Sequence, residues 1–170
     1  YHFYFYYFFV SHHLQMYMYN IELIKTFVIK KHGNQKRKQG SPYYLHPFAV
    51  ADILKQNNFP LEYQIVGYMH DLLEDTDTTE EEIINLTNKD ILECIKLLTK
   101  KEGYIMEEYI NNIANNEMAK IVKIVDRLHN LSELKFANIE FQKKYISETN
   151  KYFIPLSKDT IFYNDILKYL

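Results

Sequence analysis

The sequence predicts an all-α helical bundle with short connections. Apolar residues return at three- and four-residue intervals along most of the chain, helix start and stop signals punctuate them, and no stretch shows the polar–apolar alternation of a strand. At 170 residues the chain suits one domain with a proper core. Its 47% hydrophobic and 25% charged content is that of a folded soluble protein. A net charge of −2 gives no global pull toward nucleic acid or anionic membrane, so any anion site must be local. The single cysteine, Cys94, rules out an internal disulfide and fits a reducing compartment, with the cytoplasm as the expected location.

Residues 1–20 stand apart: they are crowded with aromatics and contain no Lys or Arg. Their apolar run is about half of the roughly 20 residues needed to span a bilayer, and a basic start for a secretory signal is missing. They read as an extension packed loosely or on a partner, with Met16 or Met18 as a true start, leaving 21–170 as the domain. Ile21, Ile24, Phe27 and Val28, widened by Leu23, then form a helical stripe that ends at Gly33. The glycine-bracketed basic segment "KKHGNQKRKQGSPYY" leads to "HPFAVADILKQNN", where Pro47 suits a first helical position and places His46 before it with an extended backbone. Residues 61–75 form the next amphipathic helix. In "DTDTTEEEIINL", Thr79 and Glu82 have the spacing of a capping box. "KDILECIKLLTK", "MEEYINNIANN", "MAKIVKIVDRLHNLSELKFANI", a segment around 140–153 and "DTIFYNDILKYL" continue the helical pattern.

The chemistry concentrates in "GYMHDLLEDT". With His70 at zero on a helical wheel, Glu74 falls at about 40°, Gly67 at about 60°, Asp71 at about 100° and Asp75 at about 140°. Val66, Met69, Leu72 and Leu73 take the opposite arc. Gly67 leaves room on the polar side for something to approach. Three carboxylates and an imidazole this close are tolerable around a cation, or as a face turned to water. On "AKIVKIVDRLHNLSEL", Lys123 and Asn130 lie within about 60° of Asp126; a structural pairing of Asp126 with a lysine is the alternative to a ligand role. His46 reads equally as a cap, a surface residue or a ligand. Together His46, His70, Asp71 and Asp126 offer two imidazoles and two carboxylates without a thiolate. That set suits Mn²⁺, Fe²⁺ or Co²⁺, admits Zn²⁺, and is less suited to Mg²⁺ alone. His32 and His129 read as structural: the first sits beside a flexible glycine, and the second, at about 300° on its helix, points away from the cluster.

In order and spacing, "HGNQKRKQGSPYYLHPFAVADIL", "GYMHDLLEDTDTTEEEI" and "KIVDRLHNLSEL" resemble the HD-type hydrolase domain of the RelA/SpoT homologues, enzymes that degrade the alarmones ppGpp and pppGpp. The resemblance covers about residues 21–156. It implies an HD-domain bundle in which His46, His70, Asp71 and Asp126 hold Mn²⁺ and Glu74 and Asp75 are the catalytic acids. It further implies that Arg37 and Lys38 meet the guanine base and a phosphate, that Asn130 touches the nucleoside, and that Tyr43 lines the pocket. Lys123, on the face of Asp126, is a phosphate partner, and Lys100 matches a basic position of the family. Lys30, Lys31, Lys36, Arg37 and Lys38 form a local basic patch able to draw in an anion. A chain of this length resembles the small stand-alone hydrolases, which implies degradation of a guanine nucleotide without its synthesis and no nucleic-acid or membrane partner. An HD phosphohydrolase for a dNTP, a nucleoside monophosphate or the 2′-phosphate of NADPH, and a nucleotide sensor without turnover, are the competing readings.

Overall fold

The computed structural model describes residues 19–170, so the reading of the aromatic extension lies, up to residue 18, outside the described residues. Tyr19 and Asn20 already belong to the domain. Tyr19 is buried and its hydroxyl accepts from the Asn88 amide, while the Asn20 side chain caps the first helix on the Leu23 N–H. Eleven α-helices follow among the described residues: α1 (Ile21–His32), α2 (Leu45–Gln56), α3 (Leu61–Met69), α4 (Leu72–Asp75), α5 (Glu80–Leu86), α6 (Lys89–Leu98), α7 (Met106–Ala114), α8 (Glu117–Ser132), α9 (Ile139–Glu148), α10 (Ile154–Ser157) and α11 (Tyr163–Leu167). A 3₁₀ turn, Leu134–Phe136, follows α8, and a π-helical turn, Thr149–Phe153, runs from α9 into α10. No strand occurs among the described residues, only an isolated bridge between Lys36 and Pro42.

Helix α8 is the axis of the bundle. Its buried residues run from Ala119 without a break through Arg127 and include Lys120, Lys123 and Asp126, so polar groups ride inside the core as well as at its edge. An element buried nearly all round must be enclosed on all sides; α2, α3, α6 and α7 pack around it, and α10 and α11 close its far end. Phe162, stacked on Phe59, and Ile166 are buried, which ties the C-terminal segment into the core. The Thr79–Glu82 capping box forms as expected, each side chain accepting from the other residue's backbone N–H.

The fold departs from the sequence-based expectations at four points. The helix over 61–75 is interrupted at His70 and Asp71: Asp71, at φ −94° and ψ −5°, leaves the regular helix, and α4 restarts at Leu72. Helix α2 begins two residues earlier than Pro47 suggests, so His46 is helical; Pro47 still sits in the first turn, where its missing N–H needs no partner. Leu23 is exposed rather than widening the core stripe. Finally, what approaches Gly67 is α2: a Cβ there would lie 3.0 Å from Leu54 Cδ1 and 3.1 Å from the Ala51 Cα. This close crossing sets how near His46 on α2 comes to His70 at the end of α3. Gly67→Ala should therefore destabilise the fold by about 1–3 kcal/mol, read as a lowered urea midpoint; an unchanged midpoint would mean the crossing yields freely.

Candidate active site

Three separate segments deliver the polar cluster. His46 comes from the first turn of α2, His70 and Asp71 from the break after α3, and Asp126 from the buried middle of α8. His46 Nε2 lies 3.0 Å from Asp126 Oδ1 and 3.6 Å from Asp71 Oδ2; His70 Nε2 lies 3.2 Å from Asp71 Oδ1 and 3.8 Å from Asp126 Oδ1. One ligand atom from each of His46, His70 and Asp126, all buried, falls within 4.8 Å of the others, and Asp71 borders this triad against both imidazoles.

His70 supplies the test of whether a cation fits. Its Nδ1 is 2.8 Å from the Gly67 carbonyl, which can only accept, so Nδ1 carries the proton. The other nitrogen, Nε2, is buried with no hydrogen-bond partner among the described residues, although carboxylate oxygens face it. Burial on its own would lower the pKa of His70, yet the Asp71 and Asp126 carboxylates outweigh it and hold the imidazole at about 9. The pocket thus demands positive charge at this spot. Two imidazole nitrogens and carboxylate oxygens converging on it fit a divalent transition metal.

The surrounding residues fix the carboxylates. Lys123, buried, reaches Asp126 Oδ2 at 2.8 Å, and Asn130 Nδ2 donates to Asp126 Oδ1. Burial opposes ionisation of Asp126, but Lys123, His46 and His70 hold its carboxyl well below the usual range. The Tyr43 hydroxyl lies 2.9 Å from Asp71 Oδ2 and 2.8 Å from Asp75 Oδ2, its single proton shared between the two carboxylates, with its ring stacked on His32. Burial, reinforced by those two carboxylates, raises the Tyr43 pKa and keeps the phenol a donor. Burial also raises Asp75, against the Tyr43 hydrogen bond, with Asp71 and Glu74 adding to the rise. Glu74 is held at one oxygen by the Lys100 backbone N–H at 2.8 Å, while the Lys100 ammonium stands 3.5 Å from the other.

These groups open into a cavity of about 440 Å³ whose lining includes Lys36, Arg37, Lys38, Lys100, Lys123 and Lys144. The loop that carries Arg37 and Lys38 is a tight turn: the Gly40 N–H bonds the Arg37 carbonyl at 2.9 Å with Gly40 at φ 87°, a conformation other residues rarely take. The basic patch is split by the fold. Lys36, Arg37 and Lys38 face the cavity, whereas Lys31 pairs with Asp77 and Glu82 on another side, because helix α1 ends before the loop turns inward.

The site residues expected from the sequence meet at this one place. Arg37, Lys38, Tyr43, His46, Asp71, Glu74, Asp75, Lys100, Lys123, Asp126 and Asn130 all line the cavity, and His70 lies behind it as the buried end of the cluster. Sequence reading misses three neighbours. Glu133 grips Arg37 at 2.7 Å and Gln39 at 2.8 Å, and Arg37 also donates to Asn130 Oδ1 at 2.7 Å. Phe141 carries the Lys38 ammonium 3.3 Å from its ring centroid. His129, expected to point away from the cluster, has its Nδ1 2.8 Å from His46 Nδ1. A wheel position three residues past Asp126 is only about 60° short of a full turn, hence on the same flank, and that spacing is the signal that could have found it.

Packed helices thus bring two histidines and two aspartates to one point, and three of them, His46, His70 and Asp126, form a group that could hold a metal ion. The chain belongs to the HD domain family, whose model matches residues 26–159. It is 34% identical over 149 residues to a probable guanosine-3′,5′-bis(diphosphate) 3′-pyrophosphohydrolase of Mycoplasma genitalium, covering 76% of this chain and 21% of the relative. Over 145 residues it is 36% identical to a guanosine-3′,5′-bis(diphosphate) 3′-pyrophosphohydrolase of Aquifex aeolicus, covering 81% of this chain and 21% of the relative. The chain thus spans about a fifth of the length of these curated relatives. A solved structure from work on a metazoan SpoT orthologue that hydrolyses ppGpp superposes with a TM-score of 0.77 at 23% identity, over 87% of this chain and 92% of that one.

The Glu133–Arg37 pair carries a pH signature. Burial would raise the Glu133 pKa, but Arg37 outweighs it and the net shift is downward. A carboxyl whose folded pKa lies below its unfolded value of about 4.3 stabilises the fold above that value and loses the contribution as pH falls through the folded one. Glu133→Gln should thus be less stable than the parent at neutral pH, with the two urea midpoints converging in acid. A gap that stays constant would show that the pair's charge contributes nothing.

Proposed function

We propose that this domain hydrolyses the 3′-pyrophosphate of ppGpp and pppGpp, with Mn²⁺ held by His46, His70, Asp71 and Asp126, releasing GDP or GTP and pyrophosphate. The observation that carries the reading is the buried, unpartnered His70 Nε2 facing Asp71 and Asp126 beside a cavity lined by lysines and an arginine. The similarity to the guanosine-3′,5′-bis(diphosphate) 3′-pyrophosphohydrolase of Aquifex aeolicus and the probable one of Mycoplasma genitalium supports the choice of substrate. A bound divalent ion would supply Lewis-acid polarisation of a phosphoryl oxygen and acidify an attacking water.

The chain's own residues do the rest. Asp75, its pKa raised by burial and oriented by Tyr43, takes a proton from water, and Glu74, fixed by Lys100, orients that water. The water oxygen joins the phosphorus next to the ribose, the bond from that phosphorus to O3′ breaks, and a proton ends on the ribose 3′ oxygen. Lys36, Lys38, Lys100 and Lys123 offset the negative charge of the phosphates. Arg37 and Asn130, tied to each other, meet the guanine nucleoside, Arg37 offering a planar guanidinium to the base. Cytoplasmic action is part of the proposal, in keeping with a single cysteine, Cys94, that is buried and forms no disulfide.

Incubating the purified chain with Mn²⁺ and, separately, ppGpp, pppGpp, NADPH and dGTP should release pyrophosphate from the first two alone. Phosphate released from NADPH, with no product from ppGpp, would overturn the assignment. Asp71→Ala should lose both metal retention and turnover. Glu74→Gln should keep the metal while kcat falls about 10²- to 10⁴-fold, and an unchanged kcat would remove Glu74 from the chemistry.

A further inference from the structure

His129 lies on α8 one turn beyond Asp126, and its ring tilts against His46 with centroids 4.9 Å apart. The two Nδ1 atoms are 2.8 Å from each other, a distance at which one nitrogen donates and the other accepts. On the opposite edge of the His46 ring, Nε2 faces Asp126 Oδ1 and Asp71 Oδ2. An imidazole nitrogen that gives its lone pair to a metal carries no proton, so a neutral His46 serving as a ligand through Nε2 must keep its proton on Nδ1. That proton points at His129.

We infer that His129 is a positioning residue whose Nδ1 accepts the Nδ1–H of His46, setting the tautomer and ring plane in which His46 presents Nε2 to the metal. The same helix then delivers one ligand, Asp126, and orients another that arrives from α2. The Gly67 carbonyl plays the matching part for His70, since it too takes up an Nδ1–H and leaves Nε2 free. Both imidazoles are thereby steered by a fixed acceptor on the side away from the carboxylates, as metal-binding histidines require. The inference rests on the metal-site reading proposed above.

The test is calorimetric titration of Mn²⁺ into the full chain, as the parent, His129→Phe and His129→Gln. Phenylalanine fills the space but cannot accept; glutamine offers an amide oxygen. His129→Phe should weaken Mn²⁺ binding about ten- to hundred-fold while the melting temperature of the metal-free protein moves little, and His129→Gln should recover most of the affinity. Parent-like affinity in His129→Phe, or equal loss in both variants, would overturn the inference and leave the metal site standing. Absence of Mn²⁺ binding by the parent would bring down both. Should His129→Phe fail to fold, long-range ¹H–¹⁵N spectra of the Zn²⁺-loaded parent decide the matter: a proton on His46 Nδ1 and on His129 Nε2 is expected, and a proton on His129 Nδ1 contradicts it.

Discussion

Burying carboxylates and imidazoles together in a helical core is the constraint on which the rest of this structure depends. Asp126 and His70 are almost wholly withdrawn from water, and an isolated charge in such a place is far too unstable to persist. The bundle resolves this by neutralisation at short range. Lys123 stands against one oxygen of Asp126, Asn130 and the His46 ring against the other, and the raised pKa of His70 supplies a further positive charge. A metal ion held there, as proposed, would take over that last role.

The architecture follows from the need to bring those groups to one point. Helix α8 carries lysines, an aspartate and an arginine inside the core, which is tolerable only because each has a designated partner: Lys120 with Glu117 and Asp159, Lys123 with Asp126, Arg127 between the rings of Tyr145 and Phe153. The Gly67–Ala51 contact draws α2 and α3 close enough for His46 and His70 to face a common centre. At the open end, the turn around Gly40 and helix α9 form the basic and aromatic walls of the cavity, joined where Lys38 lies on Phe141.

Much of this is legible in the sequence, for physical reasons that differ by element. Helical periodicity reveals α1, α6 and α7 because each has one long face that must be buried. The Thr79–Glu82 box marks the start of α5 because capping is a local interaction. The cluster residues are legible because a His-Asp pair and an Asp on an apolar helix make little sense without a partner charge. The break at Asp71 is not legible: periodicity assumes an unbroken helix, and the chain leaves it only because tertiary contacts favour the clustered geometry. A wheel places Gly67 toward a ligand although it faces Ala51, since a wheel shows direction but not which neighbour comes. Glu133 and Phe141 depend on contacts between segments far apart in the chain, which no local pattern encodes, whereas the spacing of His129 from Asp126 marks its flank but not the arrival of His46 beside it.

The most direct measurement is anomalous X-ray scattering from crystals of this chain grown with Mn²⁺, recorded at energies on either side of the manganese absorption edge. The account predicts a single peak in contact with the Nε2 atoms of His46 and His70 and with the carboxylates of Asp71 and Asp126. A peak bound elsewhere, or none in a crystal whose four side chains keep the arrangement described, would contradict it.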